Sequence, residues 1–153
     1  MSASLLFREA TASDRPAMAA IYLQCLAEAD WMPETFKAGV DFDRDTEGEL
    51  LFVVEQGGEV VGFVSFWEPE SFVHHLYVAP TAQERGVGSL LLMELQHHVR
   101  LPWRLKCSQD NERAHRFYLS RGWVQLELGD SDAGPYRLME WAGSLASLSP
   151  RES

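Results

Sequence analysis

The sequence predicts an α/β sandwich on a largely antiparallel sheet of six to seven strands. Three observations carry that expectation. β-rich and helical stretches alternate in the order β-α-(α)-β-β-β-α-β-α-β-β along a chain of 153 residues. Gly57-Gly58 joins two β-rich runs, a strong signal for a two-residue hairpin. Between Ser71 and Val99 a β-rich run, a glycine loop and an apolar helix follow one another.

Taken in order, residues 5–10 read as the first strand. Thr11, Ser13 and Asp14 then offer helix caps, and Pro16 suits a first helical turn. Met18, Ile21, Tyr22, Cys25 and Leu26 form an apolar stripe, so a helix should run to about Ala29. Residues 30–36 are aromatic and acidic with weak preference, and the acidic stretch 41–48 reads as a loop. Residues 50–56 and 60–68 are strands around the glycine pair, and 72–78 is a strand closed by Pro80. A helix over 89–99 carries Leu91, Leu92, Leu95 and Val99 on one stripe. A strand at 103–108, a helix at 113–121 stopped by Gly122, and strands at 123–128 and 136–141 complete the pattern. This gives one domain over residues 1–143, with a small, polar tail at 144–153 expected to fray.

Composition narrows the function. A chain of this length buries about 68–70% of its unfolded surface, enough for a core. No apolar run is long enough to span a bilayer, and the first residues lack a basic segment followed by an apolar one, so neither membrane nor signal peptide is expected. Cys25 and Cys107 stand far apart without metal-like spacing, as suits a reducing cytoplasm and buried structural thiols. A net charge of −10 argues against a nucleic-acid partner and is compatible with cationic amines.

The chemistry centres on Gln83-Glu84-Arg85-Gly86-Val87-Gly88. A strand feeding a helix through such a loop aims unpaired N–H groups at one point, where the helix dipole is also positive. That point favours an anion, and the glycines let it approach the main chain. No Gly-Lys-Ser/Thr follows, so this is not a P-loop; a plain strand-to-helix turn is the bland alternative.

With Leu76-Tyr77-Val78-Ala79-Pro80 before it and Leu90-Leu91-Leu92 after it, the loop resembles the acetyl-CoA loop of the GNAT superfamily of N-acetyltransferases. Downstream, Leu105 to Asn111 and then Phe117-Tyr118-Leu119-Ser120-Arg121-Gly122-Trp123 resemble that family's next strand, its Asn and its following helix. The two motifs cover the C-terminal half of the chain. The resemblance implies helices on both faces of the sheet, and two central parallel strands, 72–78 and 104–108, that splay apart around the cofactor. It also implies N–H groups from Arg85 through Gly86, Val87 and Gly88 to Ser89 on the pyrophosphate, with Gln83 and Glu84 in the same loop. Arg85 either adds a cation there or is a solvated side chain. Backbone groups of Leu76, Tyr77 and Val78 would hold the pantetheine arm as an added strand, the Val78 N–H polarising the acetyl carbonyl. Asn111 and Phe117 fall at cofactor positions, the alternative for Asn111 being a helix cap.

Acyl transfer from a thioester to an amine releases a thiolate, which a hydroxyl can protonate. Tyr118 occupies the family's tyrosine position for that role, its alternative being a packed core aromatic. His74 is the candidate base, matching a base-related histidine in a member of the family. The family's commoner glutamate would fall at Phe72 and is missing, so a water relay to Glu68 or Glu70 stays open. Strand alternation places His74 with Phe72, Leu76 and Val78, and His75 on the other face with Tyr77. With no carboxylate or Cys to complete a set, no metal is expected. Trp31, Phe36, Trp67 and Tyr136 are candidate walls for the acceptor, with Glu34, Asp41 or Asp43 to meet a cation.

These readings converge on a cytoplasmic N-acetyltransferase that moves an acetyl group from acetyl-CoA to a primary amine by direct attack in a ternary complex. The rival is a catalytically silent acyl-CoA-binding regulatory module. Exposed strand edges make a homodimer compatible with the fold.

Overall fold

The structure is a computed structural model that describes residues 4–143; the expected frayed tail lies outside the described residues. Its strands are β1 (Leu5–Glu9), β2 (Leu50–Gln56), β3 (Glu59–Trp67), β4 (Phe72–Val78), β5 (Trp103–Ser108), β6 (Val124–Ser131) and β7 (Gly134–Trp141). Its helices are α1 (Arg15–Ala27), α2 (Glu34–Ala38), α3 (Phe42–Asp45), α4 (Val87–Leu95) and α5 (Glu112–Ser120). None of these helices is long and apolar enough to cross a membrane.

One seven-stranded sheet runs β1-β2-β3-β4-β5-β7-β6. Every neighbouring pair is antiparallel except β4 and β5. Both faces of its centre are covered, as the neighbours Val53 and Val54, each 0% exposed, show. On one face Met18, Ile21, Tyr22 and Leu26 of α1 pack with Phe42, Val53 and Phe63. On the other, Val87, Leu91, Leu92 and Leu95 of α4 and Tyr118 of α5 pack with Val54, Val64, Trp103 and Met139. The predicted fold class is the observed one.

The hairpin forms as the sequence predicts, because Gly57 and Gly58 both take positive φ, 63° and 82°, as a type I′ turn requires. The acidic stretch expected to be a loop instead folds into α3. Asp41 caps it by accepting from the Arg44 N–H, and burial of Phe42 anchors it. The segment 129–135, between the strands expected at 123–128 and 136–141, is mostly strand, since β6 and β7 pair out to Ser131 and Gly134. Gly129 permits this: a Cβ there would lie 2.5 Å from the Tyr136 ring.

Two irregularities shape the centre. The β3–β4 register slips so that Ser65 faces His75 while Phe66 faces Val73, leaving His74 as the extra residue of a bulge. β4 and β5 pair only at Phe72 and Arg104, helped by an Arg104 N–H donating to Ser71 O at 3.1 Å. Beyond that point the two parallel strands part.

Candidate active site

The glycine loop is built by its neighbours. The Gln83 amide donates to Val78 O at 3.2 Å and accepts from Arg113 at 2.7 Å, and Arg113 also pairs with Glu84 at 2.9 Å. Glu84 itself adopts φ 69°. Gly86 takes φ 88° as the residue before α4, and a Cβ there would meet no protein atom within 4 Å. The N–H groups of Val87, Gly88 and Ser89 open the helix and have no intrahelical acceptor. Gly88 lies against Phe117, which lets α5 approach α4. Arg121 donates to the Ser89 hydroxyl at 2.9 Å and stacks 4.7 Å over Phe117. Arg85 reaches away, donating to Gln56 on β2 at 2.9 Å. Arg113 and Arg121, both on or just after α5, escaped the sequence reading because their partners lie some thirty residues away.

Where β4 leaves β5, backbone direction decides which groups face the gap. The Ala79 N–H donates to Val61 O at 2.8 Å, so odd-numbered residues of this end point at β3. The N–H groups of Leu76 and Val78 therefore face the gap. Tyr77 is corrected: its main chain faces β3, and its ring packs on the α1 face near Phe63 and Tyr22. The Val78 carbonyl is taken by Gln83 and by the Cys25 thiol at 3.3 Å.

Asn111 caps α5, accepting from the Ala114 N–H at 3.1 Å, which leaves its amide N–H₂ available to donate. Tyr118 is 8% exposed and packs 5.4 Å from both Phe117 and Trp123. Burial, then the neighbouring Cys107 and Tyr77, push its phenol well above the ordinary range, so it holds its proton at neutral pH. Burial also pushes the thiols of Cys25 and Cys107 up to about 11. Neither is an activated nucleophile.

The histidines depart most from expectation. Strand alternation placed them on opposite faces, but the bulge turns both toward one carboxylate, Glu49. His74 Nδ1 is hydrogen-bonded to Glu49 Oε2, and His75 Nδ1 lies 3.8 Å from Oε1 and 2.7 Å from Ser65 Oγ. Burial would raise the Glu49 carboxyl, but the hydrogen bond from His74, with His75 and Ser65 close by, holds it down to about 2. Burial lowers His75, keeping it neutral. A carboxylate thus does join the two imidazoles, with potential ligand atoms within 4.8 Å of one another. The His75 nitrogen is already committed to Ser65, and the group forms a hydrogen-bonded cluster.

The four aromatics proposed as acceptor walls lie on separate elements. Trp31 is exposed after α1, Phe36 is half-buried in α2, and Tyr136 covers Gly129 at the start of β7 with Lys106 4.7 Å over its ring. Trp67 packs against Gly48, beside Glu49, where a Cβ would lie 3.3 Å from the indole. The candidate acidic groups are engaged locally: Asp41 caps α3, Asp43 pairs with Arg15 at 3.1 Å, and Glu34 lies 3.6 Å from Lys37.

Comparison with known proteins agrees with this geometry. The Acetyltransferase (GNAT) family matches residues 15–123. Peptidyl-lysine N-acetyltransferase YiaC of Escherichia coli K12 is 30% identical over 146 residues, covering 89% of this chain and 96% of its own. Among solved structures, a GCN5-related N-acetyltransferase from Rhodopseudomonas palustris superposes with a TM-score of 0.78 at 21% identity, over 95% of this chain and 98% of that one. The structure of yncA from Salmonella typhimurium with its cofactor acetyl-CoA superposes at 0.67 and 18% identity, over 90% of this chain and 93% of that one. A family match over most of the chain, on a sheet that parts beside a glycine-capped helix, makes this chain a member of the GNAT acetyltransferase family.

Proposed function

We propose that the chain transfers an acetyl group from acetyl-CoA to a primary amine, with a lysine side chain in a peptide as the acceptor. The observation that carries the reading is the β4–β5 gap, where the Leu76 and Val78 N–H groups face outward beside the open N-terminus of α4. The residues fit the cofactor, since the space at Gly86 is open to a pyrophosphate and the N–H groups of Val87, Gly88 and Ser89 suit its charge. The lysine acceptor draws support from the name of the Escherichia coli relative and from the chain's net charge of −10.

Bound acetyl-CoA would supply an activated acetyl group on a thiolate leaving group. The Val78 N–H polarises the acetyl carbonyl by donating to its oxygen. His74 takes a proton from the incoming ammonium, leaving a nucleophilic amine. Tyr118, protonated at neutral pH, gives its proton to the departing sulfur. Neither thiol is activated, which favours direct attack over a covalent enzyme intermediate.

Thermal unfolding with and without acetyl-CoA, then thiol release over an amine panel that includes lysine peptides, tests the proposal. Ligand at about a hundred times its dissociation constant adds roughly 2.7 kcal/mol. No shift overturns the cofactor assignment. A shift without thiol release from any amine favours the silent acyl-CoA-binding module, and release from amines other than lysine peptides redirects the acceptor.

A further inference from the structure

Nothing in the sequence marks Glu49, which closes an acidic run just before β2. In the fold its side chain is 4% exposed, whereas that of its partner His74 is 47% exposed. An ionised carboxylate can only accept hydrogen bonds. The bond from His74 Nδ1 to Glu49 Oε2 therefore needs the proton on Nδ1, which leaves the lone pair on Nε2. His75 does not compete for that charge. It is held by Ser65 at 2.7 Å, it is kept neutral by burial, and it lies 3.8 Å from Oε1. Oε1 itself is buried without a hydrogen-bond partner, so the one strong hydrogen bond of the carboxylate goes to His74. Asp45, bonded to Tyr22 at 2.8 Å, is the remaining charged group on the His75 side.

We propose that Glu49 is the positioning residue of the acetyl transfer, holding His74 in the tautomer whose Nε2 accepts the acceptor's proton and stabilising the imidazolium that results. The inference rests on the assignment of His74 as base. Nε2 takes the first ammonium proton and passes it to water. The nitrogen–carbon bond then forms as the carbon–sulfur bond breaks. The second proton leaves nitrogen to water, and Tyr118, having given its proton to sulfur, takes one back from water, which restores the phenol. The bulge at His74 makes the contact, because regular alternation would aim that imidazole away from His75 and its carboxylate.

The test pairs Glu49→Gln with His74→Gln in the full chain. It reads thiol release with acetyl-CoA and lysine peptides, acetyl-CoA binding, and histidine ¹⁵N chemical shifts. Glutamine keeps the shape but loses the charge, and its amide can donate to Nδ1 as well as accept from it, so the proton is no longer fixed on Nδ1. Expected are a fall in kcat of about a hundredfold or more for each variant and unchanged acetyl-CoA affinity, with the double variant no worse than His74→Gln. Wild-type His74 should show an unprotonated Nε2, and Glu49→Gln a clear fraction with the proton moved to Nε2. If His74→Gln is impaired while Glu49→Gln keeps wild-type kcat and tautomer, the positioning role falls and the base assignment stands. Full activity in His74→Gln sinks both. Should no peptide be turned over, a protonated Nε2 in the wild type overturns the inference unaided. Stoichiometric zinc in the purified wild type, lost in Glu49→Gln, also overturns it in favour of a metal site.

Discussion

A Cβ placed on Gly88 would lie 3.3 Å from Cζ of Phe117, tighter than an ordinary contact. The glycine at this position therefore serves helix packing as much as anion approach. Gly86, by contrast, has open space and a φ of 88°, so it serves the backbone turn.

Gly88→Val should push α5 from α4 and disturb the Arg121–Ser89 contact at the start of the helix. The expected cost is about 1–3 kcal/mol, typical of overpacking, together with weakened acetyl-CoA binding. Denaturant unfolding and calorimetric titration measure the two effects. Wild-type stability in the variant would show that the Phe117 ring swings away freely.

Tyr118→Phe removes one oxygen from a side chain held between Phe117 and Trp123, so packing persists. As the loss of a general acid, it should lower kcat by about a hundredfold or more while leaving acetyl-CoA affinity intact. Unchanged kcat in steady-state thiol release would reduce Tyr118 to a core aromatic.

Asp14 links the end of β1 to α1. It accepts from Arg8 at 2.8 Å and from the Thr11 N–H at 2.7 Å, and its side chain is 9% exposed. The Arg8 guanidinium outweighs burial and holds the Asp14 carboxyl far below its ordinary range. A depressed folded-state value contributes stability above the unfolded carboxylate pKa of about 3.9, and that stability is lost as pH falls toward the folded value. Asp14→Asn should thus cost about 1–3 kcal/mol at pH 7 and flatten the decline of stability below about pH 4. Glu49, held near 2, leaves some acid sensitivity behind. Chemical denaturation across pH reads both effects, and parallel wild-type and variant curves would contradict them.

What the sequence made legible was local. Gly57-Gly58 announced its hairpin and Gly86 its strand-to-helix loop, since each needs a backbone state that few residues adopt, while Gly88 answers to the Phe117 ring. The order of elements followed from periodicity. What stayed hidden depends on register. Alternation assigned His74 and His75 to opposite faces, and one extra residue opposite Ser65 and Phe66 undid that assignment. Glu49 lay beyond reach for the same reason, since its partner His74 is twenty-five residues away and meets it through the bulge. Asn111 was readable in both its senses, and its capping bond is the one the fold displays.

Gly62 marks where β3 meets α4. A Cβ there would fall 2.6 Å from Val87 Cγ1 and 3.2 Å from Tyr77 O, so neither helix nor strand leaves room for a methyl group. Val87 is the first residue of α4, immediately after Gly86, and is 1% exposed. Gly62→Ala should therefore shift the start of α4, the end whose N–H groups are assigned to the pyrophosphate. The expected cost is about 1–3 kcal/mol in stability, with acetyl-CoA affinity falling further than stability alone explains. Pairing it with Val87→Ala, which removes the clashing methyl groups, should restore affinity in large part. If Gly62→Ala lowers stability but leaves acetyl-CoA binding untouched by titration calorimetry, the N-terminus of α4 is not where the phosphates rest.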